Sequence, residues 1–487
     1  MKMKTCMAAI WRRRLRWALL LAAAPTVWAC NARPLAAPAP RLDFETNDIY
    51  EHPIDRKLDI VFMIDDSTSM TPLQNKLTAS FPSFMHVLES LPGGLPDVHI
   101  GVVSSSMGAG RNPGVAQCPT GGDRGVFQNR AVGTTCAAGS LNAGQRFISN
   151  IGGVANYTGD ISDVFGCIAA LGDAGCGFEH QFASVLRALG ADGQPPPSEN
   201  AGFLRDDAAL AIVLITNEDD CSAPPDSALF DSSSQLVSDP LGPLQSYRCN
   251  EFGHLCGGQP PTRTPAGPTD LSGTCVSAED GRLLRVADVV ASLKNLKHDP
   301  ENVLVSAITG PSNPYVIDVA PPELPDPHPW PFVEHSCTTK EPDGSVTFAD
   351  PAVRIQQWIE SFGDRGVYAS ICGDTFQDAL INIATRIGGT VDPQCIGGQV
   401  LDMTGAPWTG ATTPDCSVVD HDLNDQGVVV DTALPACAPG EKTVATACWS
   451  LTKNAYCATG ALFSINRPSP SATHNLDSTV SCAIRPE

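Results

Sequence analysis

An open, doubly wound α/β sheet followed by a small cysteine-rich β module is the fold this sequence predicts, and three observations predict it. Near-continuous apolar runs recur along residues 57–392, helix-period segments lie between them, and beyond 392 both patterns stop and cysteines crowd the chain. Runs without polar alternation suit strands buried on both faces of a parallel sheet, and helices between parallel strands supply the crossovers.

Residues 1–29 precede the fold. Lys2, Lys4, Arg12, Arg13, Arg14 and Arg16 stand before the apolar stretch "WALLLAAAPTVWA", the layout of an export leader. That stretch is too short to span a bilayer as a mature helix. It ends at Val27, Trp28, Ala29 and Cys30, which resembles the bacterial lipobox, with Trp28 an unusual spacer. The resemblance implies a lipid on Cys30 and a protein anchored to a membrane without crossing it; ordinary leader cleavage is the alternative. Asn31 is not the aspartate that favours retention in the inner membrane, so the resemblance implies the outer membrane, on its periplasmic or surface-exposed side. Residues 30–56 are rich in proline and polar groups and read as a tether.

Within 57–392 the expected strands are "LDIVFMI" (58–64), "VHIGVVS" (98–104), "AIVLIT" (211–216), "NVLVSAIT" (302–309) and "GVYASIC" (366–372). Phe182, Val185, Leu186 and Leu189 fall at i, i+3, i+4 and i+7, as do Val286, Val289, Val290 and Leu293. Phe376, Leu380, Ile383 and Ile387 form a third helical set, and Leu73, Leu77, Phe84 and Leu88 a fourth after the first strand. Segments near 107–176, 221–275 and 310–350 are too long for plain connections and hold most of the cysteines and prolines of this region, so they read as stapled surface insertions. Within the last, "PPELPDPHPWP" (321–331) reads as a stiff polyproline spacer. Residues 393–487 show short alternating stretches and no helix-length pattern, a disulfide-stapled β module. In that module "DHDLNDQGVVVD" (420–431) has calcium-loop spacing at Asp420, Asp422 and Asn424, but Asp425 stands where an EF-hand needs glycine; it reads as an acidic turn.

Of eighteen cysteines, Cys6 leaves with the leader and Cys30 would carry lipid, so an even sixteen remain. An even set in an exported chain implies a disulfide framework. No CxxC occurs, which argues against zinc ribbons and thioredoxin-like chemistry. Spacing suggests Cys118 with Cys136 and Cys167 with Cys176, although sequence does not determine connectivity. The net charge of −22 falls to −28 when the leader's six basic residues leave, no acid leaving with them. That charge excludes nucleic acid as a natural partner and is compatible with divalent cations.

The first strand runs directly into Asp65, Asp66, Ser67, Thr68 and Ser69. Asp65, Ser67 and Ser69 make D-x-S-x-S at the carboxyl end of a buried strand, where ligands bind in doubly wound folds. Ser69 could equally cap the following helix. The motif and element order resemble the von Willebrand factor type A (VWA) domain and its metal-ion-dependent adhesion site, over residues 57–390. The resemblance implies a divalent cation, magnesium first and manganese or calcium next, held by Asp65 through water and by Ser67 and Ser69 directly. Hard oxygens suit those ions. It also implies two further ligands, a threonine and an aspartate, and this chain departs at both: Glu179 falls in the threonine slot and Asn217 in the aspartate slot, with Asp219 in play if the register slips by two. A direct glutamate ligand would quench the cation's charge more than threonine does. His180 reads as a packing or surface histidine and Asp66 as solvent-facing.

The implied function is metal-dependent binding of a protein ligand, or adhesion, by a lipid-anchored envelope protein. Two other classes stand beside it: a structural scaffold with a vestigial metal site, and a metal-dependent hydrolase, for which no separate base, GxSxG elbow or HExxH motif is found.

Overall fold

The computed structural model of the chain describes residues 44–51, 57–91, 94–112, 114–129, 136, 139–322, 326–391, 396, 398–423, 429–438, 446–453, 461–466 and 476–485. The expected leader and Cys30, like Asn424 and Asp425, lie outside the described residues. Everything described belongs to one compact unit, Phe44–Glu487.

In chain order the elements that matter are strand β1 (Phe44–Glu51), β2 (Lys57–Ile64), helix α1 (Thr71–Glu89), β3 (Asp97–Ser104), β4 (Ile148–Ile151), β5 (Val154–Ala155), α2 (Ile161–Ala169) and α3 (Gln181–Leu189). They continue with β6 (Ala209–Ile215), α4 (Tyr247–Gly253), α5 (Val286–Lys294), β7 (Val303–Thr309), the hairpin β8 (Cys337–Lys340) and β9 (Val346–Ala349), and α6 (Val353–Glu360). Last come β10 (Gly366–Ser370), α7 (Gln377–Val391), β11 (Cys416–Leu423), β12 (Val429–Leu434) and β13 (Leu476–Arg485).

A seven-stranded sheet runs β10-β7-β6-β2-β3-β4-β5. Its first five strands are parallel, in register through pairs such as Ile60 with Ile100 and with Ala211. The five apolar runs of the sequence are these five strands. The first insertion adds the antiparallel pair β4 and β5 at one edge.

Alternation along β2 divides the core. Ile60, Phe62 and Ile64 face α1, α2 and α7, where Phe62 meets the Phe81, Phe84 and Phe165 rings. Val61 and Met63 face α3, α5 and α6, packing with Val185, Val289 and Trp358. Helices therefore cover both faces, and the helical spacings read from sequence are their buried stripes. Helix α6 and the residue shortly after it carry a stripe of Ile355, Trp358, Ile359 and Phe362 at the same spacing, with Arg354 buried beside it.

Seven disulfides occur among the described residues, and the oxidising environment they require agrees with export. The four cysteines singled out from spacing are all bonded but with partners exchanged: Cys118 joins Cys176 and Cys136 joins Cys167. Adjacency in sequence misleads here because the first insertion folds back on itself, bringing residue 118 beside the entry to α3. No helix among the described residues is long and apolar enough to cross a membrane.

The cysteine-rich tail forms a sheet ordered β1-β13-β11-β12, with Gln399–Val400 also pairing β13. Cys416 and Cys482 bridge its paired strands, over a core containing Trp408, Trp449 and Phe463. Residues 44–51, inside the expected tether, are a strand of this sheet, paired antiparallel from Phe44 opposite Ile484 to Glu51 opposite Asp477. Backbone pairing with a distant strand overrides a polar, proline-flanked composition.

Candidate functional site

Strand order reverses at β2: the chain goes from β2 outward to β3, then returns to β6 on the other side and continues to β7 and β10. The crevice at the carboxyl ends of β2 and β6 is thus the switch point at which open α/β sheets bind ligands. The residues singled out from sequence stand there.

Asp65 leaves β2 with its N–H donating to the Ile215 carbonyl (2.9 Å), which locks the loop to the end of β6. The carboxylate is buried and accepts from Ser67 N–H (2.8 Å) and Thr216 Oγ1 (2.7 Å). The bond from Ser67 folds the loop into a tight turn, and Met70 N–H then donates to the Ser67 carbonyl to begin α1. Ser67 Oγ is buried with no hydrogen-bond partner. Ser69 does not cap α1, whose N-cap residue is Met70; its hydroxyl donates to Asn217 Oδ1 (3.1 Å). Asn217 is buried and donates its amide to the Phe348 carbonyl (3.2 Å), while Asp350 N–H donates to the Asn217 carbonyl. Hairpin β8–β9, tied to the end of β10 by Cys337–Cys372, therefore covers this side of the crevice.

Glu179 enters from the turn before α3 and is buried, with Oε1 lacking any partner. Burial, then the charges of Glu218 and Asp65, hold its carboxyl well above the usual range. Glu218 keeps an exposed edge, yet burial and the charges of Asp350 and Asp65 push it up to about 8. Asp65 is also raised by burial, against the hydrogen bonds from Ser67 and Thr216. Two disulfides bracket these groups, Cys118–Cys176 just before Glu179 and Cys221–Cys249 just after Asp220.

Asp219 points elsewhere. One oxygen takes His254 Nε2 (2.8 Å) and Arg354 N–H (2.8 Å), the other Ile355 N–H (3.1 Å), so it caps α6. Burial opposes its ionisation, but His254 and Arg354 hold its carboxyl below the ordinary range. Asp219 accepts from the Arg354 N–H and Asp220 from its guanidinium, while Glu218 lines a cavity beside Glu179. Asp66 is buried, contrary to the expectation of a solvent-facing residue, and accepts from Ser105 Oγ (3.1 Å); burial and the charges of Asp65 and Asp123 raise it to about 7. His180 is a packing histidine against Phe230, as expected.

Hydrogen bonds unite Asp65 with Ser67, Ser105 and Thr216, and Ser69 with Asn217, whereas Glu179 and Glu218 line a cavity shared with Asp219, Asp220, His254 and Asp350. The serine run closing β3 and the threonine closing β6 were visible in sequence as polar ends of apolar strands. No three His, Cys, Asp or Glu side chains among the described residues are already grouped to hold a metal ion. A shell of one or two carboxylates completed by hydroxyls and an amide is a different donor set, and two of its oxygens, Ser67 Oγ and Glu179 Oε1, are buried without partners. Orphaned oxygens among carboxyls with no cation fit a hard divalent ion.

No family model matches the chain, and no curated protein matches it. Similar solved structures include the pilus adhesin RrgA of Streptococcus pneumoniae, with a TM-score of 0.27 and 10% identity over 91% of this chain and 58% of that one. The adhesive tip pilin GBS104 of Group B Streptococcus agalactiae has a TM-score of 0.25 and 10% identity over 91% and 81%. The human COPII-coat protein Sec24c has a TM-score of 0.25 and 9% identity over 88% and 40%. The chain spans little more than half of RrgA, and likeness at these scores carries no functional weight.

Proposed function

We propose that this chain is an exported, lipid-anchored envelope protein of the VWA type that binds a protein ligand through a divalent cation at the Asp65 loop. One observation carries the reading: Asp65 is buried at the topological switch point with hydroxyl and N–H donors but no cationic side chain against it among the described residues, and Ser67 Oγ and Glu179 Oε1 are buried without partners. Buried carboxyls in that position need a proton or a cation. Asp65, Ser67, Ser69, Glu179 and Asn217 would hold the ion, magnesium in the first instance, with Glu218 in place of Asp219. When bound, it would supply the missing positive charge and an open position for a ligand carboxylate. For that, Glu179 must release its proton and Ser69 must turn from Asn217. Glu179 as a direct ligand leaves less charge for the partner, so the site recruits ligand less avidly than one built on threonine. Cys30 in its lipobox-like setting supports an outer-membrane anchor, and the disulfides support export.

A second reading, a scaffold whose metal site is vestigial, is favoured by the Ser69–Asn217 bond and by the cover from hairpin β8–β9, which satisfy the crevice without an ion. Hydrolysis is a third reading, set lower because the sequence has no GxSxG elbow or HExxH motif. Calorimetric titration of magnesium, manganese and calcium into chelator-treated wild type and Asp65→Ala decides between them. Binding by wild type alone is expected; equal binding by both, or none by either, overturns the metal reading and leaves the scaffold.

A further inference from the structure

A ligand carried on another protein meets an obstacle at the Asp65 loop. Asp65, Ser67, Glu179 and Asn217 are buried, and of the residues proposed to hold the ion only Ser69 and Glu218 are partly exposed. A protein-borne carboxylate has to displace cover to reach an ion held there. On the Asn217 side that cover is hairpin β8–β9, and its attachments are few.

Among the described residues the two strands of the hairpin pair only with each other, so they form a sheet of their own. A two-stranded hairpin is marginal in water by itself, and its position is set by what it is fastened to. One end is fixed covalently by Cys337–Cys372 at the start of β8, where Thr339 Oγ1 also donates to the Cys372 carbonyl (2.7 Å). Near the turn Glu341 pairs with Lys76 of α1 (2.6 Å), both nearly buried, and the same ammonium donates to the Gly373 carbonyl (2.9 Å). The third hold is Asn217. Its side-chain amide donates to the Phe348 carbonyl and its main-chain carbonyl accepts from Asp350 N–H (2.8 Å), while its Oδ1 accepts from Ser69. Asn217 therefore ties the D-x-S-x-S loop on one side to the hairpin on the other. The residue after β9 rests on bare backbone: a Cβ at Gly310, just after β7, would overlap the Asp350 carbonyl.

We propose that hairpin β8–β9 is a lid on the Asp65 crevice, latched by Lys76–Glu341, which competes with the cation for Asn217 and swings aside when the ion is bound. The proposal rests on the cation reading and names what regulates it. An ion that takes Asn217 Oδ1 as a ligand turns that amide towards the loop and away from the Phe348 carbonyl. The disulfide keeps the hairpin tethered as it swings. Coupling of this kind is reciprocal, so whatever loosens the latch also tightens cation binding.

Hydrogen–deuterium exchange of the full-length protein, read at the Asp350 amide from overlapping peptides covering 346–352, tests this with magnesium as the only added ligand. In chelator-treated wild type that amide should exchange slowly, and saturating magnesium should speed it about fivefold, the low end of ordinary allosteric coupling. Glu341→Gln removes the latch charge, and Gly310→Ala pushes the Asp350 carbonyl off its seat. Each should speed exchange without metal and raise magnesium affinity, measured by calorimetry, about fivefold. A hairpin that only braces the fold gives other results: folded variants whose affinity is unchanged or lower, or magnesium bound by wild type with exchange unaltered. Either one overturns the lid and leaves the cation reading standing. No magnesium binding by wild type overturns both. Circular dichroism reports whether each variant is folded; if Gly310→Ala is not, Glu341→Gln decides.

Discussion

Strand β2 carries a buried aspartate near each end, and the fold treats the two in opposite ways. At the amino end Asp59, fully buried, accepts from Arg205 N–H (2.8 Å) and Nε (2.8 Å), with Lys297 Nζ 3.7 Å away. Burial raises its pKa, and those cations offset part of the rise. At the carboxyl end Asp65, equally buried, has only an N–H and hydroxyls as partners. A buried carboxylate with built-in cations is a structural part. One without them is a site whose countercharge comes from outside, as protons or as a metal.

The largest effect expected from this contrast is at the amino end. Asp59→Ala leaves Arg205 and Lys297 buried beside no carboxylate and should cost about 3–5 kcal/mol, the usual loss on breaking a buried pair from one side. Asp65→Ala in chelator-treated protein removes a charge with no protein cation and should cost under ~2 kcal/mol, mainly hydrogen bonds from Ser67 and Thr216. Urea unfolding of both reads the difference. Equal losses would mean that the carboxyl end is also a plain structural ion site, and the contrast would fail.

Magnesium should reverse the ranking. At a hundred times its dissociation constant a ligand bound only by the folded state adds about 2.7 kcal/mol. Thermal unfolding should show that gain in wild type and not in Asp65→Ala, whereas a mild amino-end change such as Lys297→Met should retain it. A gain of equal size in Asp65→Ala would place the ion elsewhere.

The pH response follows from the protonated pair. Glu179 and Glu218 have folded pKa values above their unfolded ones, so the native state binds more protons than the unfolded chain between the ordinary glutamate range and about 8. Stability of metal-free protein should therefore fall as pH rises across that window, and magnesium affinity should rise across it as protons leave. Glu218→Gln should flatten the stability slope. A metal-free protein whose stability increases from pH 5 to 8 would contradict the raised carboxyls.

How far this was legible in sequence differs between sheet and site. Parallel strands buried on both faces must be apolar throughout, so all five could be found from composition alone, as could the stripes of α1, α3, α5 and α7. Helix α6 has the same signal, Ile355, Trp358, Ile359 and Phe362 at i, i+3, i+4 and i+7; only the buried Arg354 breaks the apolar pattern, and its partner Asp220 lies 134 residues away. The same long range hid β1, whose partner is at the chain's other end, and the pairing of Cys118 with Cys176. Asp65, Ser67 and Ser69 declare themselves by spacing on one short loop. Glu179 and Asn217 follow only from the resemblance to the VWA domain, which sets them in its threonine and aspartate slots. The choice of Glu218 over Asp219 depends on one peptide's orientation in the turn after β6, which no residue type in "NEDD" dictates.

The smallest test is the most local. Ser69 is partly exposed and its hydroxyl bonds Asn217, so in metal-free protein Ser69→Ala should cost about 0.5–1.5 kcal/mol, the worth of one hydrogen bond. The same hydroxyl is a ligand in the proposed metal state, where its loss should lower magnesium affinity about tenfold, roughly 1.4 kcal/mol. Measuring both in one variant separates the two readings of the crevice. If Ser69→Ala changes metal-free stability alone, the Ser69–Asn217 bond is a structural clasp and the loop is a quiet relative of a binding site. If it changes the magnesium response as well, the clasp opens to bind, and the serine that closes the carboxyl end of β2 does work for which the amino end has no counterpart.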